Sequence, residues 1–232
     1  MLWGLLHPMA LLGIYAVVFE YVFRAQVPGL APDQPYLLFV ASTLWPWLAV
    51  QEAITRGTMA VQNHGALVKK VAFPHELVVY SAVVSSFLVQ LSGYAIVLLT
   101  LKLLGFGVYF MSLPTVLFGV AVLAVASGAI ALVMGALQVF VRDVEHLLTQ
   151  LLGILFYATP ILYAMESVPS WLSSGMQWNP LLHYLEPIRN ALLKNEGISL
   201  ITAAIMLGAT MLVFYGARKF FLRLSPYFED MV

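Results

Sequence analysis

One charged segment of this otherwise apolar chain, VKKVAFPHEL at residues 68–77, contains two lysines, a histidine and a glutamate around one proline. A histidine beside a glutamate suggests metal binding or acid–base chemistry, but His75 and Glu76 alone do not have metal-ligand spacing. The chain also lacks the HExxH and GxSxG motifs of hydrolases and the GxxxxGK[ST] loop that binds ATP. We therefore expect no catalytic, cofactor-binding or metal site here, and any use of ATP would require another polypeptide.

The composition indicates what surrounds this charged segment. The 232 residues are 62% hydrophobic and only 9% charged, whereas soluble domains are about 25% charged. A soluble fold of this size could not cover so much apolar surface, so most of the surface must face lipid. The zero net charge gives no indication of a nucleic-acid partner, and the absence of cysteine excludes disulfides and thiolate metal sites.

Long apolar runs predict an all-α integral membrane protein with one transmembrane domain over residues 1–232. A spanning helix needs about 20 apolar residues, and the runs lack the period-two alternation of membrane barrels. No basic region precedes the first run, so we expect no cleavable signal peptide. The six predicted spans cover about 2–23, 36–55, 77–101, 114–141, 145–164 and 198–222.

Basic residues in the loops predict the orientation of the six spans. With a cytoplasmic N-terminus, the basic residues inside are Arg56, Lys69, Lys70, Arg142, Arg218, Lys219 and Arg223. Those outside are then Arg24, Lys102, Arg189 and Lys194. The inside set is the larger, so we expect both termini to be cytoplasmic.

The predicted outer segment at about 165–193 is too apolar for a solvated loop, since it contains Trp171, Trp178 and several leucines. Asn179-Pro180 is typical of a helix N-cap followed by proline in the first turn. We expect two short helices that re-enter the outer leaflet, which is tolerated where backbone is buried in protein or lines a cavity. The alternative is a pair of amphipathic helices on the membrane surface.

The charged segment belongs to a longer inner stretch, about 58–72, that predicts a short amphipathic helix. In this interpretation Ala66, Leu67, Val71 and Ala72 form the apolar side, with the two lysines on the remaining arc. Proline restricts the residue before it, so Phe73 should end this helix, while Pro74 and Glu76 suit the first turn of the third span. The helix either docks into a soluble partner or anchors to anionic headgroups.

Features inside the spans indicate packing and bending. Ala124 with Gly128, and Ala131 with Gly135, have the small-xxx-small spacing of close helix contacts, within one chain or between two. Thr159-Pro160 predicts a kink in the fifth span, either a hinge or a static bend.

Charged pairs and aromatic side chains are the other features of the spans. Glu20–Arg24 and Glu52–Arg56 are spaced to pair at span ends. No chain of carboxylates crosses the membrane, which argues against ion-driven transport. Aromatic side chains could line a path for sugar rings, although packing and interface belts explain most membrane aromatics. The candidates are Tyr15, Phe19, Phe23, Phe156, Tyr157 and Tyr163.

Four segments carry a family resemblance: LWGLLHP at 2–8, LVKKVAFPHELVVYSAVVSS at 67–86, FVRDVEHLLTQLLGILFYATPILY at 140–163 and WNPLLHYLEPIRNALL at 178–193. In this order and spacing they resemble the ABC type-2 permeases that export O-antigen, capsule and teichoic acid. The resemblance departs at His75, where the family often has arginine. It departs again before residue 2, where such permeases usually have an amphipathic interface helix.

The resemblance implies a homodimer of six-span permeases in the bacterial inner membrane, working with two cytoplasmic ABC ATPase subunits that bind ATP and Mg²⁺. It implies a coupling helix at about 58–72 and a lipid-linked polysaccharide as substrate. The residues expected to dock the ATPase are Asn63, Leu67, Lys69, Lys70, Phe73, Pro74, Glu76, Arg142 and Asp143. The alternatives are a related permease for drugs or small lipids, an integral membrane glycan-lipid enzyme, and a non-transporting scaffold.

Overall fold

The computed structural model describes residues 9–10, 12–15, 17–18, 34–71 and 73–231, apart from the side chain of Asp230. Every regular element within these ranges is helical, which confirms the all-α class. From residue 34 onward the helices are α1 (Tyr36–Asn63), α2 (Gly65–Lys70), α3 (Glu76–Leu103), α4 (Leu113–Phe140), α5 (Val144–Tyr157), α6 (Ser170–Met176), α7 (Pro180–Lys194), α8 (Leu200–Leu224) and α9 (Phe228–Met231). Short 3₁₀ turns occupy Met165–Ser167 and Ser225–Tyr227.

Four helical stretches in the described part of the chain are long and apolar enough to cross a membrane: α1, α3, α4 and Leu200–Tyr227. They match the second, third, fourth and sixth predicted spans. Most of the first predicted span, at about 2–23, lies outside the described residues, as does the predicted Glu20–Arg24 pair. On α1 the predicted Glu52–Arg56 pair is formed, with 3.1 Å between its charged atoms.

The fifth predicted span, at about 145–164, differs from the expectation. Helix α5 has 14 residues and ends at Tyr157, so it rises about 21 Å and is shorter than a hydrocarbon core of about 30 Å. Residues 158–163 form turns in place of a kinked helix. Pro160 has no N–H for a helical hydrogen bond and disfavours helical backbone at Thr159, so the helix stops before it.

Two compact units make up the chain. The first unit contains Met1–Leu48, Val89–Val120 and Ile154–Ser199, and the second contains Ala49–Leu88, Ala121–Gly153 and Leu200–Val232.

Within the second unit, small residues bring α1 and α4 into close contact. A Cβ built on Gly57 would lie 2.6 Å from the Cβ of Ala131, and one on Gly135 would lie 3.2 Å from the carbonyl oxygen of Gly57. The first distance is one that real Cβ atoms essentially never show, and the second is tighter than most of them, so a larger residue at Gly57, and to a lesser extent at Gly135, would require the two helices to shift. The small-xxx-small spacing of Ala131 and Gly135 therefore serves helix packing inside the chain.

Within the first unit, α7 is the most deeply buried of the short helices. Asn179 caps it, since its Oδ1 accepts a hydrogen bond of 3.0 Å from the backbone N–H of Leu181, and Pro180 occupies the first turn. The predicted N-cap is therefore confirmed. The helix ends at Asn195, which adopts the left-handed conformation with φ 56° and so turns the chain away. Whether α6 and α7 re-enter the membrane remains a prediction.

Candidate functional site

Helix α2 presents its two lysines outward and one valine inward. Val68 is only 1% exposed, whereas Leu67, Lys69 and Lys70 are exposed. The prediction of which side of the helix is buried is therefore wrong. Leu67 and Val71, predicted to lie on the apolar side, face outward, and Val68 makes the buried contact. With only six residues, α2 covers less than two turns, so one buried side chain sets its orientation.

The link from α2 to α3 is fixed by interactions of His75. The Nδ1 atom of His75 lies 2.9 Å from the hydroxyl of Ser225. The edge of the Phe73 ring meets the imidazole at 5.4 Å, and the Phe228 ring stacks on it at 6.1 Å between centroids. Within the described ranges, no three His, Asp or Glu side chains converge on a metal-sized site. His75 therefore acts here as a packed, hydrogen-bonded side chain.

Glu76 begins α3 and pairs with Arg218 on α8. Its side chain is 9% exposed, and the Nη2 of Arg218 donates to Oε1 at 2.9 Å while Nε lies 3.3 Å from both oxygens. Tyr80, one turn further along α3, interacts electrostatically with the same pair. We call these three residues the Glu76 cluster. The carboxylate was predicted to contact a partner, but the geometry turns it inward and commits it to joining two helices.

A buried amide organises the turn between α4 and α5. Gln138 is 2% exposed; its Nε2 donates to the carbonyl of Arg142 at 3.1 Å, and its Oε1 accepts from the N–H of Glu145 at 2.8 Å. Gln62 on α1 donates to the carbonyl of Gln138 at 2.9 Å. These bonds close the turn so that the side chains of Arg142 and Asp143 remain exposed.

Most of the residues predicted to dock a partner are therefore accessible. Asn63, Leu67, Lys69, Lys70, Pro74, Arg142 and Asp143 are exposed, Phe73 is half-buried and Glu76 is buried. We call the exposed members the α2 face.

The residues that support the α2 face were missed from the sequence. Gln138, Ser225 and Phe228 were not considered, and Arg218 was counted only as a cytoplasmic cation. A polar amide in an apolar run was the one usable signal, and it pointed to Gln138.

In the first unit, four of the six aromatic candidates for a substrate path come together. The rings of Tyr15 and Phe156 stack at 6.3 Å, Tyr157 meets Phe156 edge-on at 5.1 Å, and the Tyr163 hydroxyl donates to the carbonyl of Tyr157 at 2.6 Å. Trp47, which the sequence did not single out, packs on Phe156 at 5.9 Å. Tyr157 is exposed and Phe156 half-buried. Phe19 and Phe23 lie outside the described residues.

A buried arginine holds α7 in the first unit. Arg189 is 9% exposed, and its Nη2 donates to the carbonyls of Pro160 and Ile161, at 2.6 and 3.1 Å, and to the hydroxyl of Thr43 at 2.8 Å. Its guanidinium carbon lies 4.0 Å from the centroid of the Phe39 ring. We call these five residues the Arg189 cluster.

Asn179 adds a second connection between α7 and the turns after α5. Its Nδ2 donates to the hydroxyl of Thr159 at 2.9 Å and to the carbonyl of Ala158 at 3.2 Å. Carbonyls freed by the end of α5 thus find donors on α7. Two of the segments that carried the resemblance, one with Thr159-Pro160 and one with Asn179 and Arg189, are bound directly to each other.

Comparison with known proteins shows which family the chain belongs to. A family model described as ABC-2 type transporter matches residues 1–193. The O-antigen export system permease protein RfbA of Klebsiella pneumoniae is 27% identical over 210 residues, covering 86% of this chain and 76% of the relative. RfbA of Myxococcus xanthus is 30% identical over 172 residues, covering 72% and 62%. The polysialic acid transport protein KpsM of Escherichia coli is 23% identical over 216 residues, covering 91% and 82%.

All four segments that carried the resemblance lie inside the matched residues, so the resemblance is confirmed. The chain belongs to the ABC-2 type transporter family.

Proposed function

We propose that this chain is the membrane permease subunit of an ATP-driven exporter that moves a polysaccharide or lipid-linked glycan across the inner membrane. Family membership and the polysaccharide-export relatives support it. The structural observation that carries it is α2, which holds Lys69 and Lys70 outward over a buried Val68. In this proposal two permease chains form the membrane path, and ATP and Mg²⁺ are bound by two separate ATPase subunits.

The α2 face is the surface that would receive the ATPase. It offers an exposed leucine and two lysines on one short helix, with Arg142 and Asp143 on the closed turn after α4. An apolar contact flanked by cations suits a groove with an acidic rim, since complementary charges orient the partner. The turn is rigid because Gln138 satisfies its backbone groups. A rigid surface loses little conformational entropy on docking and transmits a push from the partner.

The cytoplasmic position of this face follows from the proposed orientation, with six spans and both termini inside. The aromatic group around Phe156 would then contribute to the path of the substrate. Tyr157 is its exposed member, and an aromatic face with a hydroxyl suits sugar rings. The proposed substrate class is therefore a polysaccharide or lipid-linked glycan.

The test reverses the charge of both lysines on α2. Lys69→Glu with Lys70→Glu should weaken ATPase binding by about a hundredfold, because two favourable contacts become repulsive. Export of surface glycan should be lost while the permease still inserts and still forms its dimer. Binding is measured with the purified permease in nanodiscs, and export by surface-glycan staining of a strain that carries only the variant.

Lys219→Glu with Arg223→Glu is the matched control, since these two exposed cations of α8 change the net charge equally. Equal loss of export in both variants would favour a headgroup anchor over partner docking. Normal ATPase binding by the α2 variant would remove the docking role. A deletion strain that keeps its surface glycan but becomes sensitive to drugs would contradict the substrate class.

A further inference from the structure

The segment that follows α8 is built around one buried phenylalanine. After the 3₁₀ turn at Ser225–Tyr227, α9 begins with Phe228, whose side chain is 0% exposed. Its neighbours Tyr227 and Glu229 are exposed. The match to the ABC-2 type transporter family ends at residue 193, so this segment lies beyond the matched residues.

Phe228 contacts three separate parts of the second unit. Its ring meets Phe221 of α8 edge-on at 5.2 Å, packs on Phe140 at the end of α4 at 6.1 Å, and stacks on His75 at 6.1 Å. Phe140 directly precedes the turn that exposes Arg142. One ring therefore touches the end of α4, the link after α2 and the last turns of α8.

Two further contacts tie the same segment to α2. The backbone of α9 lies against α2. The hydroxyl of Ser225 lies 2.9 Å from Nδ1 of His75. Helix α2 itself has few internal restraints, since it contains six residues and the side chain of its N-cap residue, His64, makes no capping hydrogen bond. A helix this short is not stable alone, so its orientation depends on what packs against it.

We propose that Phe228 is a positioning residue, which holds α2 and the Arg142 turn in one fixed arrangement. His75 is the side chain on which Phe228 packs. A flat ring with a polar nitrogen suits this position, because it can stack on Phe228 and hydrogen-bond Ser225 at the same time. An effect of Phe228 on export rests on the proposed docking role of α2. An effect of Phe228 on the order of α2 does not rest on that role, because the order of α2 can be measured directly.

The experiment measures amide hydrogen exchange of the intact permease in nanodiscs by mass spectrometry. The reporting amides are those of Leu67, Val68 and Val71, which donate to backbone carbonyls at 2.8, 3.0 and 3.1 Å. Phe228→Ala should reduce their protection by at least about tenfold, because removing a buried ring frees the short helix to open. Ser225→Ala, which removes only a hydroxyl, should give a smaller loss, and Phe228→Leu should restore most of the protection.

Phe220→Ala is the matched control, since it removes an equal ring from an exposed position on α8. The amide of Tyr109, which donates to the carbonyl of Leu192 at 3.0 Å, should exchange as in the wild type in every variant, which shows that the first unit remains folded. If Phe228→Ala does not fold, protection of the α2 amides is compared between wild type, Ser225→Ala and Phe228→Leu. Reduced protection in Ser225→Ala supports the proposal, and wild-type protection in both variants overturns it.

Unchanged protection of α2 in folded Phe228→Ala overturns the proposal, whatever the export rate. Lost protection that matches Phe220→Ala also overturns it. Lost protection specific to Phe228→Ala supports the positioning role. If that variant still exports at the wild-type rate, the positioning role stands and the docking role of α2 fails.

Discussion

The two units each use an arginine to join distant parts of the chain, but they use it in opposite ways. In the Arg189 cluster the cation is buried, at 9% exposure, and donates to two carbonyls and a hydroxyl. In the Glu76 cluster the anion is buried, at 9% exposure of its side chain, and the arginine is 46% exposed. The first arrangement excludes water from the cation, and the second leaves the cation in contact with it.

This difference predicts what each cluster tolerates. A buried guanidinium that satisfies neutral acceptors cannot be replaced by solvent, so those acceptors lose their donors if it is removed. An exposed guanidinium can be replaced by water and ions, which reach Glu76 once the arginine is gone. We therefore infer that the Arg189 cluster is a permanent fastening, whereas the strength of the Glu76 cluster depends on the surrounding solution.

The largest expected effect is that of Arg189→Met. It removes the donor from the carbonyls of Pro160 and Ile161, each of which becomes a buried acceptor without this partner. The free energy of unfolding should fall by about 3 kcal/mol. The measurement is thermal unfolding of the purified permease in nanodiscs, followed by intrinsic fluorescence.

Arg189→Lys should recover little of this loss, because an ammonium group cannot reach several acceptors in one plane and stack on Phe39 as well. Lys194→Met is the matched control, since it removes an exposed cation from the same helix. Equal stability of the Arg189→Met and Lys194→Met variants would contradict the fastening role.

The second expected effect compares glycines in the two units. Gly57→Ala should destabilise the protein by about 1–3 kcal/mol, since the new methyl group overlaps the Cβ of Ala131, which cannot rotate away. Gly119→Ala should cost less, because the atoms it meets belong to the side chain of Ile188, which has rotatable bonds. Thermal unfolding under the same conditions ranks the two variants.

The double variant Gly57→Ala with Ala131→Gly provides the rescue. It moves one methyl group from α4 to α1 and should restore most of the stability lost in Gly57→Ala. A double variant that is less stable than Gly57→Ala would show that the contact with Ala131 is not what restricts the size of the side chain at residue 57.

The long helices could be predicted because hydropathy acts locally. The predicted spans 77–101 and 114–141 agree with α3 and α4 to within a few residues, because an apolar run in lipid has no alternative to a helix. The phase of α2 could not be predicted, since periodicity has no meaning over less than two turns. The burial of Val68 depends on what packs against it.

The end of α5 shows the same limit. A proline can kink a helix or end it, depending on whether other groups satisfy the carbonyls that it frees. Here Asn179 donates to the carbonyl of Ala158 and Arg189 to that of Pro160, from 21 and 29 residues further along the chain. The partners of Glu76 and Gln62 are more remote still, at separations of 142 and 76 residues. Local patterns in the sequence contain no information about such pairs.

The smallest expected effect tests the Glu76 cluster. Arg218→Met should lower the unfolding temperature less than Arg189→Met does, because the Arg218 side chain is half-exposed and water can take its place. The loss should also shrink as salt is added, since mobile ions screen a pair that is open to solvent. The measurement is thermal unfolding of wild type and variant in nanodiscs of neutral lipid, from low salt to about 1 M, where the screening length is about 3 Å.

Arg189→Met supplies the comparison within the same series, because salt cannot reach a cation whose acceptors are buried backbone carbonyls. The difference between wild type and Arg189→Met should therefore stay constant as salt rises, while the difference for Arg218→Met declines. Two parallel declines would mean that water and ions reach both arginines. A constant difference for Arg218→Met would mean that its guanidinium is as well shielded as that of Arg189, and the distinction between the two clusters would then fail.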